Sequence, residues 1–419
     1  MDTLLLARLQ FSVTASIHFM FVSLTLSLVI YLAIMQTAWV VTGKSVYERA
    51  VKFWGRLYVV NYGLGLITGI VMEFQLGMGW SGLTTRFGDL LGPALAVETL
   101  VAFTLEVTLL GLWIFGWGTL GKKTHLVVIW LVALTAYASV LWILAANAFL
   151  QNPVGHQIRD GRAHLVDVGA LLSNPSLWDA AAHVFFAALT VGSVFVAGIS
   201  AYHFIKRTTE TELFGKSLRL SLLLLPVAAY ATVHYGMMQI LVIGKTQPLK
   251  LALIEGASAQ ADALRDQLSE QIGPGHFLAP DWVTTLFSVM QGAGFALVLI
   301  STAGAILLIR NWVIRLRVPL YLLVALIPVP FAIVVVGWLV REIGRQPWTV
   351  YGQLLTAEAV SDLSPVSVTV SFPVFTLVLV TLAVLDYRLL AAYAKRGPQD
   401  DAFGARFDST ADDSALTPL

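Results

Sequence analysis

Cysteine is absent from this 419-residue chain. That absence excludes thiolate-held iron–sulfur clusters, covalently attached c-type haem and disulfides. Charge is scarce too. Asp, Glu, Lys and Arg make up 12% of the residues and hydrophobic side chains 57%, against about 25% and 45–50% in an ordinary soluble domain. So little polar surface cannot cover a globule of this size, so a water-soluble protein is excluded and an integral membrane protein is implied. The net charge of +1 offers no basic face for nucleic acid. The first apolar run does not read as a signal peptide. Asp2 and a single basic residue, Arg8, precede it, it is too long, and it shows no small-residue cleavage site.

What the chain does have is apolar runs. A membrane span needs about 20 mainly apolar residues, and nine such runs occur: 11–35, 54–76, 94–117, 125–150, 180–204, 218–243, 283–309, 318–340 and 367–392. The predicted fold is all-α and polytopic, a membrane domain over 1–395 followed by a short, disordered cytoplasmic tail over 396–419, rich in Asp, Gly and Ser. Nine spans put the termini on opposite sides. With the N-terminus outside, 17 of the 26 Lys and Arg residues fall in inner segments and 9 in outer ones. The positive-inside rule therefore predicts N-out, C-in. The long loops near 151–179, 244–282 and 341–366 then face outward.

An ionisable group at mid-bilayer costs about 2.5–3.5 kcal/mol or more, so each one needs a reason. Away from span edges these are His18, Glu73, Glu98, Glu106, His183, His234 and Glu342. On the predicted topology they fall in the outer half, with Met290 at the depth of His183, and the inner half is nearly bare. Imidazole and thioether are common axial ligands of low-spin haem. Glu98 and Glu106, eight residues apart, would lie about 80° apart around one helix and suit a proton relay or an open metal position. By position alone, haem ligation and a transporter with a polar site stand equal. His234 reads as a satisfied core histidine ahead of the alternative, a compensating polar group. Gly63, Gly65 and Gly69 read first as plain helix–helix contact.

The strings RLQFSVTASIHFMFVSLTL, KFWGRLYVVNYGLGLITGIVMEFQLGMGW, ALAVETLVAFTLEVTLLGLWIFGW, LWILAANAFLQNP and GWLVREIGRQPW resemble subunit I of the cytochrome bd quinol oxidases over nearly the whole chain. The resemblance implies a quinol:oxygen oxidoreductase of bacterial aerobic respiration, working in the cell membrane. His183 and Met290 match the axial ligands of a low-spin haem b. His18, with Glu98 opposite, and Glu342 match ligands of two active-site haems. One of these is a high-spin haem b, and the other a haem d or a third haem b. Which haem belongs to which residue is left undivided.

By the same resemblance, Glu98, Glu106 and Ser139 match an inner-side proton route. Trp338 matches a tryptophan between haems, and Arg345 a partner of haem propionates. Lys250 and Glu255 match residues tied to quinol oxidation. Expected partners are a second membrane subunit of related fold (subunit II), often a small single-span peptide, lipid, O2 and quinol. Three departures weaken the quinol side. Met237 and Gln239 stand where the family commonly has charged or imidazole groups, Ser288 stands where an arginine often precedes the methionine ligand, and the loop after Glu255 is short. A diverged subunit fed by another donor is therefore carried alongside, as is a non-haem transporter.

Overall fold

The computed structural model describes residues 3–99 and 104–398; the expected tail beyond 398 lies outside the described residues. Among the described residues, nine helical segments are long and apolar enough to cross a membrane, in agreement with the nine runs. The first span is Thr3–Thr42 and the second Ser45–Gly79. The third spans Leu95–Phe115, drawing on the end of helix Ser81–Thr99 and on helix Val107–Phe115, and the fourth is Lys122–Gln151. The fifth, Pro175–Ile205, and the sixth, Thr211–Thr246, pack side by side. The seventh is Trp282–Leu307, the eighth is broken into Arg317–Ala325 and Pro328–Ile343, and the ninth is Pro365–Arg396.

Local chemistry sets several span ends. The Asn174 side chain accepts from Ser176 N at 3.0 Å with Pro175 next in line. Ser364 does the same for Ser367 N at 3.1 Å ahead of Pro365. In both cases a polar N-cap satisfies an orphan N–H, and proline occupies the first turn, where its missing N–H costs nothing.

The long loops carry structure of their own. In the first, β1 (His156–Arg159) and β2 (Arg162–Leu165) form a hairpin. In the second, the short helix Pro248–Glu255 precedes the amphipathic helix Ser258–Ile272. In the third, β3 (Trp348–Val350) pairs with β4 (Leu354–Leu355). Leu83, Phe87 and Leu90 pack with Phe149, Leu171, Val350 and Leu354 into a separate apolar cluster over this end of the bundle. The opposite end gathers the basic loops. Arg49 pairs with Glu210 at 3.0 Å, and Arg219 donates to Asn311 at 3.2 Å.

Two expectations need correction. The basic half of the bundle is not bare. His125, His203 and Asp386 are buried there, and Asp386 Oδ1 has no hydrogen-bond partner among the described residues. His125 and Asp386 lie within helices whose apolar runs mask single polar residues. Nor is His234 a core histidine. It is exposed on the sixth span, its ring stacked near Tyr230, because that face of the helix is left uncovered among the described residues.

Candidate functional site

The fifth, sixth, seventh and eighth spans, with Phe19 of the first and Leu144 of the fourth, line a partly open cavity that His183 and Met290 share. His183 Nδ1 lies 2.8 Å from the Thr232 carbonyl oxygen. A carbonyl only accepts, so Nδ1 carries the proton and the lone pair sits on Nε2, the tautomer a metal needs. Both side chains are seated against glycines of neighbouring helices. A Cβ on Gly236 would come within 3.1 Å of His183 Cε1, and one on Gly337 within 3.0 Å of Met290 Sδ. Imidazole nitrogen and thioether sulfur on separate helices, facing one largely apolar space, make a donor set and cradle that fit a haem.

His18 is prepared in the same way. Its Nδ1 lies 2.9 Å from Thr68 Oγ1, and that hydroxyl donates to the Gly65 carbonyl at 2.7 Å. The single hydroxyl proton is therefore committed, Nδ1–H donates to Thr68, and Nε2 again holds the lone pair. A Cβ on Gly69 would lie 3.1 Å from His18 Cε1, whereas one on Gly65 would meet Phe21 at 3.1 Å, and Gly63 faces open space. Of the three glycines, one is plain helix contact and another makes room for the histidine. Removing the Thr68 hydroxyl as Thr68→Val should weaken retention of the haem at His18 by about 10–100-fold, as loss of such outer partners typically does. Pyridine haemochrome counting checks it, with the low-spin α-band as the signal that stays constant.

The buried histidines of the basic half contrast with these. His125 Nε2 donates to the Trp113 carbonyl at 2.8 Å and Nδ1 accepts from Gln36 at 3.0 Å, so both nitrogens are taken. His203 donates to the Ala394 carbonyl at 2.8 Å and stacks on Phe214. These are structural side chains.

Glu342 ends the eighth span inside a dense polar network. Its Oε1 accepts from Asn147 at 2.9 Å and Gln151 at 3.3 Å, and its Oε2 from Arg345. Asn147 also accepts from Arg341 Nε at 2.7 Å, and Arg341 Nη1 donates to Gln239 at 3.1 Å. Arg345 is 6% exposed, with Nε and Nη1 unpartnered among the described residues. Lys250, 2% exposed, donates to the Arg341 carbonyl at 2.8 Å and to Gln151 at 3.3 Å. Burial pushes its ammonium well below the usual lysine range; Arg341 and Arg345 act in the same direction and Glu342 opposes them. Glu255, by contrast, is exposed at the end of its helix, so Lys250 and Glu255 face different surroundings. Ser288 is exposed and donates to the Thr284 carbonyl.

Trp338 lines the His183–Met290 cavity and packs against Phe19, the residue after His18, at 6.1 Å between ring centroids. Ser139 donates to Glu98 Oε1 at 3.1 Å, and Thr99 holds Glu73 at 2.8 Å. Glu106 is 5% exposed and lies within electrostatic reach of Glu98, Tyr58 and Tyr62. Residues 104–106 form a π-helical turn, so the 80° spacing of an uninterrupted α-helix does not carry over to Glu98 and Glu106. Such turns are frequent at functional sites.

The site residues anticipated from sequence thus fall around one end of the bundle. Arg341, Asn147, Gln151 and Gln239 are the additions. Arg341 is an ionisable residue beside Glu342, a signal present in the sequence but passed over as a span edge.

The family model described as cytochrome bd terminal oxidase subunit I matches residues 6–271 and 276–398. The chain belongs to that family. It is 35% identical to "Cytochrome bd ubiquinol oxidase subunit 1" of Bacillus subtilis (strain 168), covering 96% of this chain and 95% of that one. It is 29% identical to "Cytochrome bd-II ubiquinol oxidase subunit 1" of Escherichia coli (strain K12), covering 95% and 97%. Its fold is shared with the bd oxidase structure from Geobacillus thermodenitrificans at a TM-score of 0.85 and 24% identity, over 95% of this chain and 99% of that one. As a cytochrome bd subunit I, the chain is a multi-pass membrane component of a terminal oxidase, and the transporter alternative falls away. Haem is the cofactor this family implies.

Proposed function

We propose that the chain is the haem-bearing subunit of a bacterial plasma-membrane quinol oxidase, with the membrane domain over 1–395 oriented N-out and C-in. Bound haems would supply the redox chemistry, carrying electrons from quinol through a low-spin haem b to a two-haem site, one high-spin b and one d or b, where O2 is reduced to water. The observation that carries this reading is the single cavity onto which an imidazole and a thioether converge, each backed by a glycine.

Within it, His183 and Met290 hold the low-spin haem, while His18, Glu98 and Glu342 hold the oxygen-side pair. Trp338 and Phe19 fill the space between the two regions with aromatic rings. Arg345 presents unpartnered N–H groups suited to propionate oxygens. Glu106 holds a proton on its carboxyl group for delivery toward Glu98, whose Oε1 is fixed by Ser139. Protons drawn from the cytoplasmic side cross the field, each worth about 2.3 kcal/mol per 100 mV. Clustering of the basic loops at one end supports that orientation. Glu255, exposed in the outer loop 244–282, is placed to accept a quinol proton, and Lys250 ties that loop to the Glu342 network. The exposed apolar faces of the third, seventh and ninth spans suit subunit II, a single-span peptide and lipid.

A reduced-minus-oxidised spectrum with pyridine haemochrome analysis of the purified complex, plus oxygen uptake with quinol, tests the proposal. Three haems and quinol-driven uptake are expected; a colourless complex would end it. A second reading, an oxidase subunit fed by a donor other than quinol, is favoured by the opposite settings of Lys250 and Glu255. Three haems without quinol-driven uptake would establish it.

A further inference from the structure

Arg341 lines the cavity shared by His183 and Met290. Two of its three guanidinium nitrogens are fixed, Nε by Asn147 at 2.7 Å and Nη1 by Gln239 at 3.1 Å. The third, Nη2, is buried without a hydrogen-bond partner among the described residues. Its charged surroundings are Lys250, Arg345 and Glu342. Two guanidinium cations, with the Lys250 amine beside them, thus face one carboxylate, an excess of positive charge in a site of low dielectric. Buried charge persists only when paired, so this neighbourhood calls for anionic oxygens from a ligand. A macrocycle bearing carboxylates meets that need in sign. Ser288, two residues before Met290, is exposed and turned to its own helix backbone; the cation on the cavity comes from the eighth span.

We propose that Arg341 is a positioning residue for the haem held by His183 and Met290, its Nη2 donating to a carboxylate side group of that macrocycle. The inference rests on the reading that those two residues hold a haem. Asn147 and Gln239 orient the fork in advance, so the group is held in one pose and its negative charge is offset beside the iron. Reduction adds an electron to the haem, and a fixed cation nearby favours the reduced form. Removing that cation lowers the midpoint potential.

The test is redox titration of the purified complex carrying R341Q, read at the low-spin α-band, with R341K as the charge-retaining companion. In R341Q the band should remain. Its reduced-to-oxidised ratio at fixed ambient potential should fall by on the order of tenfold, about 59 mV for a one-electron couple, and R341K should recover most of the shift. An unchanged potential in R341Q overturns the proposal while leaving the haem reading intact. If R341Q fails to keep the haem, R341K decides. Retention at the parental potential supports the proposal, and equal loss in both variants overturns it by making packing, rather than charge, the cause. A parental complex without a low-spin band overturns the haem reading itself and is seen before any variant is titrated.

Discussion

Replacing His183 by leucine is expected to remove the low-spin haem signal and to lower quinol-driven oxygen uptake by more than about 100-fold, the upper end of what losing a mere outer-shell partner costs. The side chain donates from Nδ1 to the Thr232 carbonyl, leaving the Nε2 lone pair as its one strong coordinating atom. Leucine keeps the apolar volume that packs on Gly236 but offers no lone pair, so the fold should survive while ligation does not. His234→Ala is the natural control. That ring is exposed and stacked near Tyr230, and its loss should leave the spectrum unchanged. A full low-spin α-band in the His183→Leu complex would show that the cavity serves some other ligand.

Glu106→Gln is expected to slow oxygen reduction by about 10²-fold, the lower range for losing a positioned acid–base group, with the haem complement preserved. The carboxyl group is buried in the π-helical turn between Glu98 and the tyrosines of the second span. Glutamine fills the same volume and can still donate and accept hydrogen bonds, but it has no proton to pass on. Oxygen consumption against an intact difference spectrum separates the roles: unchanged turnover would remove Glu106 from the proton route, and loss of haem would make it a structural residue.

Much of this arrangement is legible in one dimension because a bilayer makes every polar residue conspicuous. His18, His183, Glu98 and Glu106 stand out as expensive groups in apolar runs, and alternating span direction converts their positions into depth. The same rule fails near the water interface, where charge is cheap. Arg341 therefore reads as an edge residue, and Lys250 is marked only by the family resemblance, although both are buried in the Glu342 network. Depth also says nothing about azimuth, so His234 could not be separated from His183 until neighbouring helices covered one and not the other. Asp386, near the end of the run 367–392, is passed over in the same way although it is buried.

Composition decided that the chain lives in lipid, and the length of its apolar runs that nine segments cross it as helices, since no other solvent accepts so little polar surface and no other regular element of that length satisfies its own backbone there. Which ring nitrogen is available, which glycine yields space to a ligand and which cation lacks a partner were settled only by packing. Each depends on atoms brought together from helices far apart in the chain, as with Thr232 against His183 and Gly337 against Met290.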